Sequence, residues 1–327
     1  MYMGSERILW IDWMKVIGMY LIIAGHLFPI GYTYLYVFNV PIFFLISGFL
    51  CKRDNNNYFF IKKIIFNYII PIFIIRTIMY FWEKYTYIAP NHFINIIDYW
   101  ICILKGQQNC IGACWFIYTL ILIKLLFQYI TNNKLLIAFF ICLTIIAIIL
   151  NVQNIHKNNA VFNITVAYQP FAIGYYLKKY KKTLIAYHFS PFSFILLLSF
   201  SLLLIIFCGN FNGKVWLYQN GYGESILLYF LGMIGGSLLL FSVAKILERK
   251  TYFYISILST GNILTLGFHQ IFVNITKMQI NTYNYISYML AFIILVLFIP
   301  IIIICKSYFP IVLGMYHHTT KNHYGKT

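Results

Sequence analysis

The stretch RILWIDWMKVIGMYLIIAGHLFPI (residues 7–30) decides the fold prediction, because it is apolar over enough residues to cross a lipid bilayer. It nevertheless contains three charged residues at one end and a histidine near the other: Arg7, Asp12, Lys15 and His26. Charged groups are costly inside a membrane helix, so each one points to a function unless a partner explains it. We expect this helix to be central, with later helices packed around it.

The composition of the whole chain is typical of a membrane protein. Of its 327 residues, 61% are hydrophobic and 9% are charged, and the mean hydropathy is +0.79; a soluble domain has about 25% charged residues. The net charge of +17 does not indicate nucleic-acid binding, because no basic stripe is interleaved with stacking aromatic residues. We predict an all-α polytopic membrane protein whose surroundings are the lipid bilayer, with no nucleic-acid partner.

Apolar runs predict about ten transmembrane helices. They cover approximately residues 8–28, 34–51, 64–82, 114–130, 134–150, 160–177, 191–208, 222–246, 252–275 and 283–305. Residues 93–104 are too few to span comfortably, so we predict an interfacial or re-entrant segment there. We expect a single transmembrane domain over residues 1–327, in which residues 307–327 form a polar cytoplasmic tail.

The distribution of basic residues predicts where the termini lie. With a cytoplasmic N-terminus, 18 of the 24 lysines and arginines fall on the cytoplasmic side, five fall on the outer side, and Arg76 lies within a helix. Cytoplasmic loops collect lysine and arginine, so this bias predicts that both termini are cytoplasmic. That arrangement requires an even number of spans, which supports ten.

Three polar residues of the first helix share one face. His26 follows Lys15 by eleven residues and Asp12 by fourteen. Around the helix axis, Lys15 is therefore about 20° and Asp12 about 40° from the direction of His26. The same fourteen residues of helix place Asp12 and His26 roughly 21 Å apart along the helix axis. Such a stripe should face the protein interior or a water-filled cavity. The alternatives are an interfacial ion pair for Asp12 and Lys15, and a packed, carbonyl-bonded imidazole for His26.

Two further ionisable residues lie within apolar segments. His269, in GNILTLGFHQIF (residues 261–272), is predicted at a depth similar to that of His26, which would permit a shared site. Arg76, in PIFIIRTIMYFW (residues 71–82), needs either an anionic ligand or an acidic partner. For Arg76 we weigh the phosphates of a ligand such as coenzyme A equally with an ion pair to Glu83, Glu224 or Asp98.

The second apolar segment contains PIFFLISGF (residues 41–49), which includes Ser47 and Gly48. Small and hydroxyl residues let helices approach each other closely, so a packing role is favoured for both. The Ser47 hydroxyl is also a candidate substrate contact. No GxSxG elbow supports a hydrolase-type nucleophile.

The seven cysteines give weak information. Most lie in or beside apolar segments and are expected to be buried. Cys110 and Cys114 flank a loop and could form a disulfide if that loop faces an oxidising compartment.

Several of these stretches together resemble acyltransferase family 3, whose members are integral-membrane enzymes that O-acylate sugars and glycopolymers. The opening resembles that of the family, from Arg7 through WIDWMKVIGMYLIIAGH to His26, followed by NVPIFFLISGFL. CWFIYTLILIKLL (residues 114–126) resembles its Trp-Phe segment, and STGNILTLGFHQIF (residues 259–272) resembles its late Gly-Asn…His segment. YQPFAIGYYLKK (residues 168–179) is a looser match.

The resemblance implies a ten-helix fold, an acyl-coenzyme A donor on the cytoplasmic side, and a glycan acceptor. It also implies that His26 is the catalytic histidine. The site predicted from the residues and the resemblance has His26 and Asp12 as catalytic residues, Arg7, Lys15 and Arg76 as donor-binding residues, and His269, Ser47 and Trp115 as substrate-binding residues; no metal is predicted.

The predicted function is therefore O-acyl transfer, most simply O-acetyl transfer from acetyl-coenzyme A, to a hydroxyl of a cell-surface polysaccharide or other glycan, with a lipid-linked sugar as a possible acceptor. The predicted location is a bacterial plasma (inner) membrane. His26 would serve as general base or as an acyl relay. The alternative class is a transporter or flippase for a lipid-linked sugar, in which His26 and Arg76 would be proton or substrate sites.

Overall fold

The computed structural model describes residues 7–86, 95–155, 158–248, 253–280 and 284–315. Its α-helices are α1 (Leu9–His26), α2 (Tyr32–Tyr36), α3 (Pro41–Phe49), α4 (Asn57–Ile64), α5 (Ile70–Thr86), α6 (Ile96–Leu104), α7 (Gln108–Ile111), α8 (Trp115–Tyr129), α9 (Asn133–Val152), α10 (Ile164–Leu177), α11 (Lys181–Ala186), α12 (Pro191–Phe211), α13 (Ile226–Leu247), α14 (Phe253–Thr260), α15 (Asn262–Gln279) and α16 (Ile286–Tyr308). No β-strand occurs in these ranges, so the all-α prediction is confirmed.

Seven helical segments of the described chain are long and apolar enough to cross a membrane. They are Tyr32–Phe49, Asn57–Thr86, Gln108–Tyr129, Asn133–Val152, Pro191–Phe211, Ile226–Leu247 and Ile286–Tyr308. Helices α1 and α15, which contain most of the polar candidates, are not among the seven. The protein is thus a multi-pass membrane protein, while the count of ten and the cytoplasmic termini stay predictions.

Two predicted spans are broken where local chemistry interrupts the helix. Between α2 and α3 the chain turns before Pro41, which has no backbone N–H and therefore begins α3 readily. In this turn the Asn39 side-chain oxygen accepts a hydrogen bond of 2.8 Å from the Val40 N–H. Between α14 and α15 the break falls at Gly261, where a Cβ would lie 2.2 Å from the Ile302 side chain. Hydropathy alone does not report either break.

Helix α1 lies inside the bundle and packs against α13, α14, α15 and α16. Helices α3 and α10 approach each other closely at two glycines. A Cβ on Gly48 would lie 2.0 Å from the Phe171 carbonyl oxygen, and a Cβ on Gly174 would lie 2.0 Å from that of Leu45. The packing role predicted for Gly48 is therefore confirmed.

The described residues between α5 and α8 form two short helices, α6 and α7, and a 3₁₀ turn. Helix α6 has nine residues, in agreement with the prediction of a short segment, although residues 93 and 94 lie outside the described part.

The predicted Cys110–Cys114 disulfide is wrong: Cys110 pairs with Cys102, at a Cα–Cα distance of 6.0 Å, and Cys114 is free and buried. Gly112, at φ +49°, redirects the chain between the two predicted partners, so Cys114 precedes α8 while Cys110 stays beside α6.

The end of the chain is helical for longer than predicted. Helix α16 continues to Tyr308, and a 3₁₀ turn follows at Pro310–Leu313. The rest of the predicted polar tail, residues 316–327, lies outside the described residues.

Candidate functional site

The imidazole rings of His26 and His269 meet inside the bundle. Their centroids lie 5.0 Å apart with an interplanar angle of 40°. His26 is the last residue of α1 and is partly exposed, whereas His269 lies in the middle of α15 and is fully buried. The similar depth predicted for the two histidines is confirmed, and their contact creates a site that neither helix could form alone.

The backbone of α15 determines which ring nitrogen of His269 carries the proton. Its Nδ1 lies 2.8 Å from the Leu266 carbonyl oxygen and 3.2 Å from that of Thr265. Carbonyl oxygens only accept hydrogen bonds, so Nδ1 carries a proton and Nε2 of the neutral ring is left as an acceptor. This buried Nε2 has no hydrogen-bond partner among the described residues. The site therefore contains an unused acceptor next to the ring of His26.

The end of α1 contacts Tyr36, the last residue of α2, and Asn39 in the α2–α3 turn. The Tyr36 hydroxyl donates a hydrogen bond of 3.0 Å to the carbonyl oxygen of Gly25, the residue before His26. A Cβ on Gly25 would lie 3.2 Å from the side-chain nitrogen of Asn39, which is buried. The sequence contained Asn39 as a polar residue in an apolar stretch, but nothing in its spacing linked it to His26.

The charged end of α1 faces α14. The Asp12 carboxylate accepts a hydrogen bond of 2.5 Å from the Ser259 hydroxyl and forms an ion pair with Arg7. Arg7 also donates a hydrogen bond of 3.0 Å to the Ser256 carbonyl oxygen. Lys15 is half-buried and lies close enough to Asp12 and Arg7 to interact electrostatically with both. The stripe faces the protein interior, as predicted, and its serine partners were not identified from the sequence.

Helix α15 contributes a second buried polar group one turn before His269. The Thr265 hydroxyl is buried and has no partner among the described residues. Residues four apart lie on one face of a helix, so Thr265 and His269 share the same side of α15. Polar groups therefore occur at both ends of the α1–α14/α15 interface and also near its middle.

Arg76 is held by protein groups. Its Nε donates a hydrogen bond of 2.6 Å to the Cys110 carbonyl oxygen, and its Nη2 donates to the Tyr99 hydroxyl at 2.6 Å and to Glu83 at 3.3 Å. The residue is 3% exposed. These contacts match the ion-pair alternative with Glu83. The predicted role of Arg76 in donor binding stays a prediction.

The remaining predicted residues lie in other parts of the bundle. Trp115, at the start of α8, packs its ring against Phe44 and Tyr218, with centroid distances of 6.4 Å and 6.2 Å. Ser47 is half-buried in α3 beside the contact with α10. None of the described hydrogen bonds or ring contacts joins either residue to the histidine pair, so their predicted substrate contacts stay predictions.

The chain matches a known protein family. The family model described as an acyltransferase domain, Acyl_transf_3, matches residues 8–305, a range that contains α1 and α15 together with the histidine pair. No curated protein and no solved structure gives a match to the chain. The resemblance inferred from the opening stretch is confirmed over nearly the whole length: this multi-pass membrane protein belongs to acyltransferase family 3.

Proposed function

We propose that this protein is an acyl-coenzyme A-dependent O-acyltransferase, most simply an O-acetyltransferase, that modifies a cell-surface polysaccharide or a lipid-linked sugar. We place it in a bacterial inner membrane, with the donor on the cytoplasmic side. The observation that supports the proposal is the His26–His269 contact at one end of the polar stripe of α1, in a chain of an acyltransferase family.

His26 is the group best suited to act as general base. It is the partly exposed member of the pair, and the ordinary pKa of histidine lies near neutral pH. In the proposed step an acceptor hydroxyl attacks the thioester carbonyl while His26 takes the hydroxyl proton. The new O–C bond replaces the C–S bond, coenzyme A leaves as a thiolate, and the proton on His26 returns to that thiolate.

His269 would act as a positioning residue in this step. Its Nδ1 proton is engaged by the backbone, so its Nε2 can accept a hydrogen bond from one nitrogen of His26. That bond would leave the other His26 nitrogen unprotonated and available to the acceptor hydroxyl. A similar logic orients histidine bases in other acyl-transfer sites.

The donor would enter from the end of α1 that carries Arg7, Asp12 and Lys15. Arg7 and Lys15 can attract the phosphates of coenzyme A, and Asp12, bonded to Ser259, fixes Arg7 beside α14. Fourteen residues of helix separate Asp12 from His26, a distance of about 21 Å. An extended pantetheine arm suits a separation of this size.

A covalent variant of the mechanism places an acyl group on His26 before transfer. The His26 nitrogen would then attack the thioester, coenzyme A would leave, and the acceptor hydroxyl would attack the acyl-imidazole. Ping-pong kinetics and an acylated enzyme trapped without acceptor would indicate the relay, whereas sequential kinetics would indicate direct transfer.

The decisive experiment measures transfer of label from radioactive acetyl-coenzyme A to glycan in isolated membranes. We expect transfer with the wild type, none with His26→Ala, and normal transfer with His188→Ala, a matched control because His188 lies exposed in the loop before α12. Full activity of His26→Ala at equal expression would overturn the proposal. Movement of a lipid-linked sugar across the membrane without any acyl transfer would favour the transporter alternative.

A further inference from the structure

Two lysines and three aromatic residues gather beyond the histidine pair. We call this group the lysine–aromatic cluster; it consists of Phe28, Tyr32, Lys214, Trp216 and Lys277. The Lys277 ammonium lies 4.1 Å from the centroid of the Phe28 ring, and the Lys214 ammonium lies 3.7 Å from that of Trp216. Lys214 is also within 6 Å of the Phe28 and Tyr32 centroids, at 5.9 Å and 5.7 Å.

The two positive charges have no acidic partner among the described residues. Neither Lys214 nor Lys277 takes part in an ion pair within 4.0 Å. The acidic residue of the same loop, Glu224, lies beside Gly213 and does not reach Lys214 within that distance. Partial burial lowers the pKa of the Lys214 amine, so an added anion would restore favourable interactions that the amine has lost with water.

The cluster adjoins the histidine pair. Phe28 follows His26 by two residues, and Lys277 lies eight residues beyond His269 on α15, about 12 Å along the axis. The charge of Lys277 is close enough to act on the His26 ring. Phe28 has φ +50°, which is an unfavourable backbone conformation for an aromatic residue. With this backbone conformation, the Phe28 ring lies within 6 Å of both ammonium groups.

The loop that carries Lys214 and Trp216 has a fixed shape. The Asn212 side chain donates a hydrogen bond of 2.8 Å to the Tyr222 carbonyl oxygen and accepts one of 2.8 Å from the Ser225 N–H. The Tyr218 hydroxyl donates one of 3.0 Å to the Gln108 carbonyl oxygen. A loop held in this way can present a preformed surface and not merely a flexible charge.

We infer that the lysine–aromatic cluster binds the anionic group, carboxylate or phosphate, of a saccharide acceptor whose neighbouring hydroxyl is presented to His26. Lysine ammonium groups are compact charges suited to both anions. The aromatic faces offer apolar surface to the C–H face of a sugar ring, as aromatic residues do in small-molecule sites. This inference rests on the proposed function, because it names the class of acceptor for the same site.

Binding to the purified protein in lipid nanodiscs tests the inference without acyl transfer. The probes are trigalacturonate, its neutral methyl ester, and galactose 6-phosphate, each measured at low ionic strength. We expect trigalacturonate or galactose 6-phosphate to bind about tenfold more tightly than the neutral ester. The tighter of the two anions identifies carboxylate or phosphate as the recognised group. Equal binding of all three probes would overturn the inference.

Variants separate a binding role from a structural one. Lys214→Gln combined with Lys277→Gln should reduce binding of the charged probe to the level of the neutral ester. Lys214→Arg combined with Lys277→Arg keeps both positive charges and should bind the charged probe like the wild type. Lys105→Gln is the control, because Lys105 is an exposed lysine between α6 and α7; this variant should bind the charged probe like the wild type. Undiminished binding by the double glutamine variant would contradict the inference.

Failure of this inference can be distinguished from failure of the proposed function. His26→Ala should lose acyl transfer yet bind the charged probe normally, since His26 is not part of the cluster. Transfer to a neutral glycan without anion preference would overturn the inference and keep the function. Lysine-dependent probe binding together with full transfer by His26→Ala would support the anion site and overturn the proposed function.

Discussion

His26 and His269 are in ring contact at 5.0 Å, and the partner ring is oriented by the Leu266 and Thr265 carbonyl oxygens. The carbonyl groups fix which nitrogen of His269 bears the proton. In the proposed mechanism, the free nitrogen of His269 would set the tautomer of His26. The chemistry proposed for His26 therefore depends on the backbone of another helix.

Replacement of His269 should affect turnover more than donor binding. We expect His269→Leu to lower kcat about 100-fold, because a positioned acid–base group contributes roughly 10²–10⁴ to the rate, with the donor KM almost unchanged. His269→Gln keeps an amide oxygen as acceptor, so it should retain clearly more activity than the leucine variant. Steady-state kinetics in nanodiscs, with melting curves as the folding control, measure this. Equal kcat values for His269→Leu and wild type would contradict it.

The charged end of α1 should act on donor binding. We expect Lys15→Gln to raise the donor KM about tenfold at low salt while kcat stays within about twofold of wild type, since a contact to a distant phosphate is the same in the ground and transition states. The effect should shrink near 1 M salt, where the Debye length is about 3 Å. Lys52→Gln is the control, because Lys52 is exposed beyond the end of α3. An unchanged donor KM in Lys15→Gln would exclude this role.

Much of this site could be predicted from local sequence patterns. Apolar runs of sufficient length identified the membrane class, and helical periodicity placed Asp12, Lys15 and His26 on one interior stripe. The similar predicted depth of His26 and His269 permitted a shared site, and the structure brings the two rings together. These inferences succeed because they depend on the geometry of single helices.

The features that sequence reasoning missed depend on contacts between distant segments. Ser259 meets Asp12 only because α14 ends beside the start of α1. Cys110 pairs with Cys102 across the turn between α6 and α7, which residue spacing alone does not reveal. Likewise, Lys277 reaches Phe28 because α15 lies along α1, and no periodicity links the two positions.

The α3–α10 contact should tolerate no side chain at Gly48. We expect Gly48→Ala to lower the stability of the purified protein by about 1–3 kcal/mol or more, because overpacking of this kind is costly and the new Cβ would lie 2.0 Å from the Phe171 carbonyl oxygen. Ser47→Ala, at the next position, should leave stability unchanged. Thermal unfolding in detergent reports both, and equal melting temperatures for the two variants would contradict the prediction.

The Cys102–Cys110 disulfide should be detectable chemically. We expect alkylation without reduction, followed by peptide mass spectrometry, to recover Cys102 and Cys110 linked and Cys114 labelled only after denaturation, since Cys114 is free and buried. Cys102→Ser should lower stability by about 2 kcal/mol, the loss expected for a short cross-linked loop. A linked Cys110–Cys114 peptide would show that the pairing described here is wrong.

Arg76 should behave as a structural residue. Removal of one partner from a buried ion pair is strongly destabilising, and Arg76→Gln loses hydrogen bonds to Cys110, Tyr99 and Glu83 together. We expect a loss of about 3 kcal/mol for Arg76→Gln and a smaller loss for Glu83→Gln, whose side chain is 20% exposed. The double variant should lose less than the sum, because both changes break the same pair. Steady-state kinetics give the second readout: correctly folded Arg76→Gln should have the same donor KM as the wild type. A large rise in donor KM without loss of stability would instead place Arg76 at the donor phosphates.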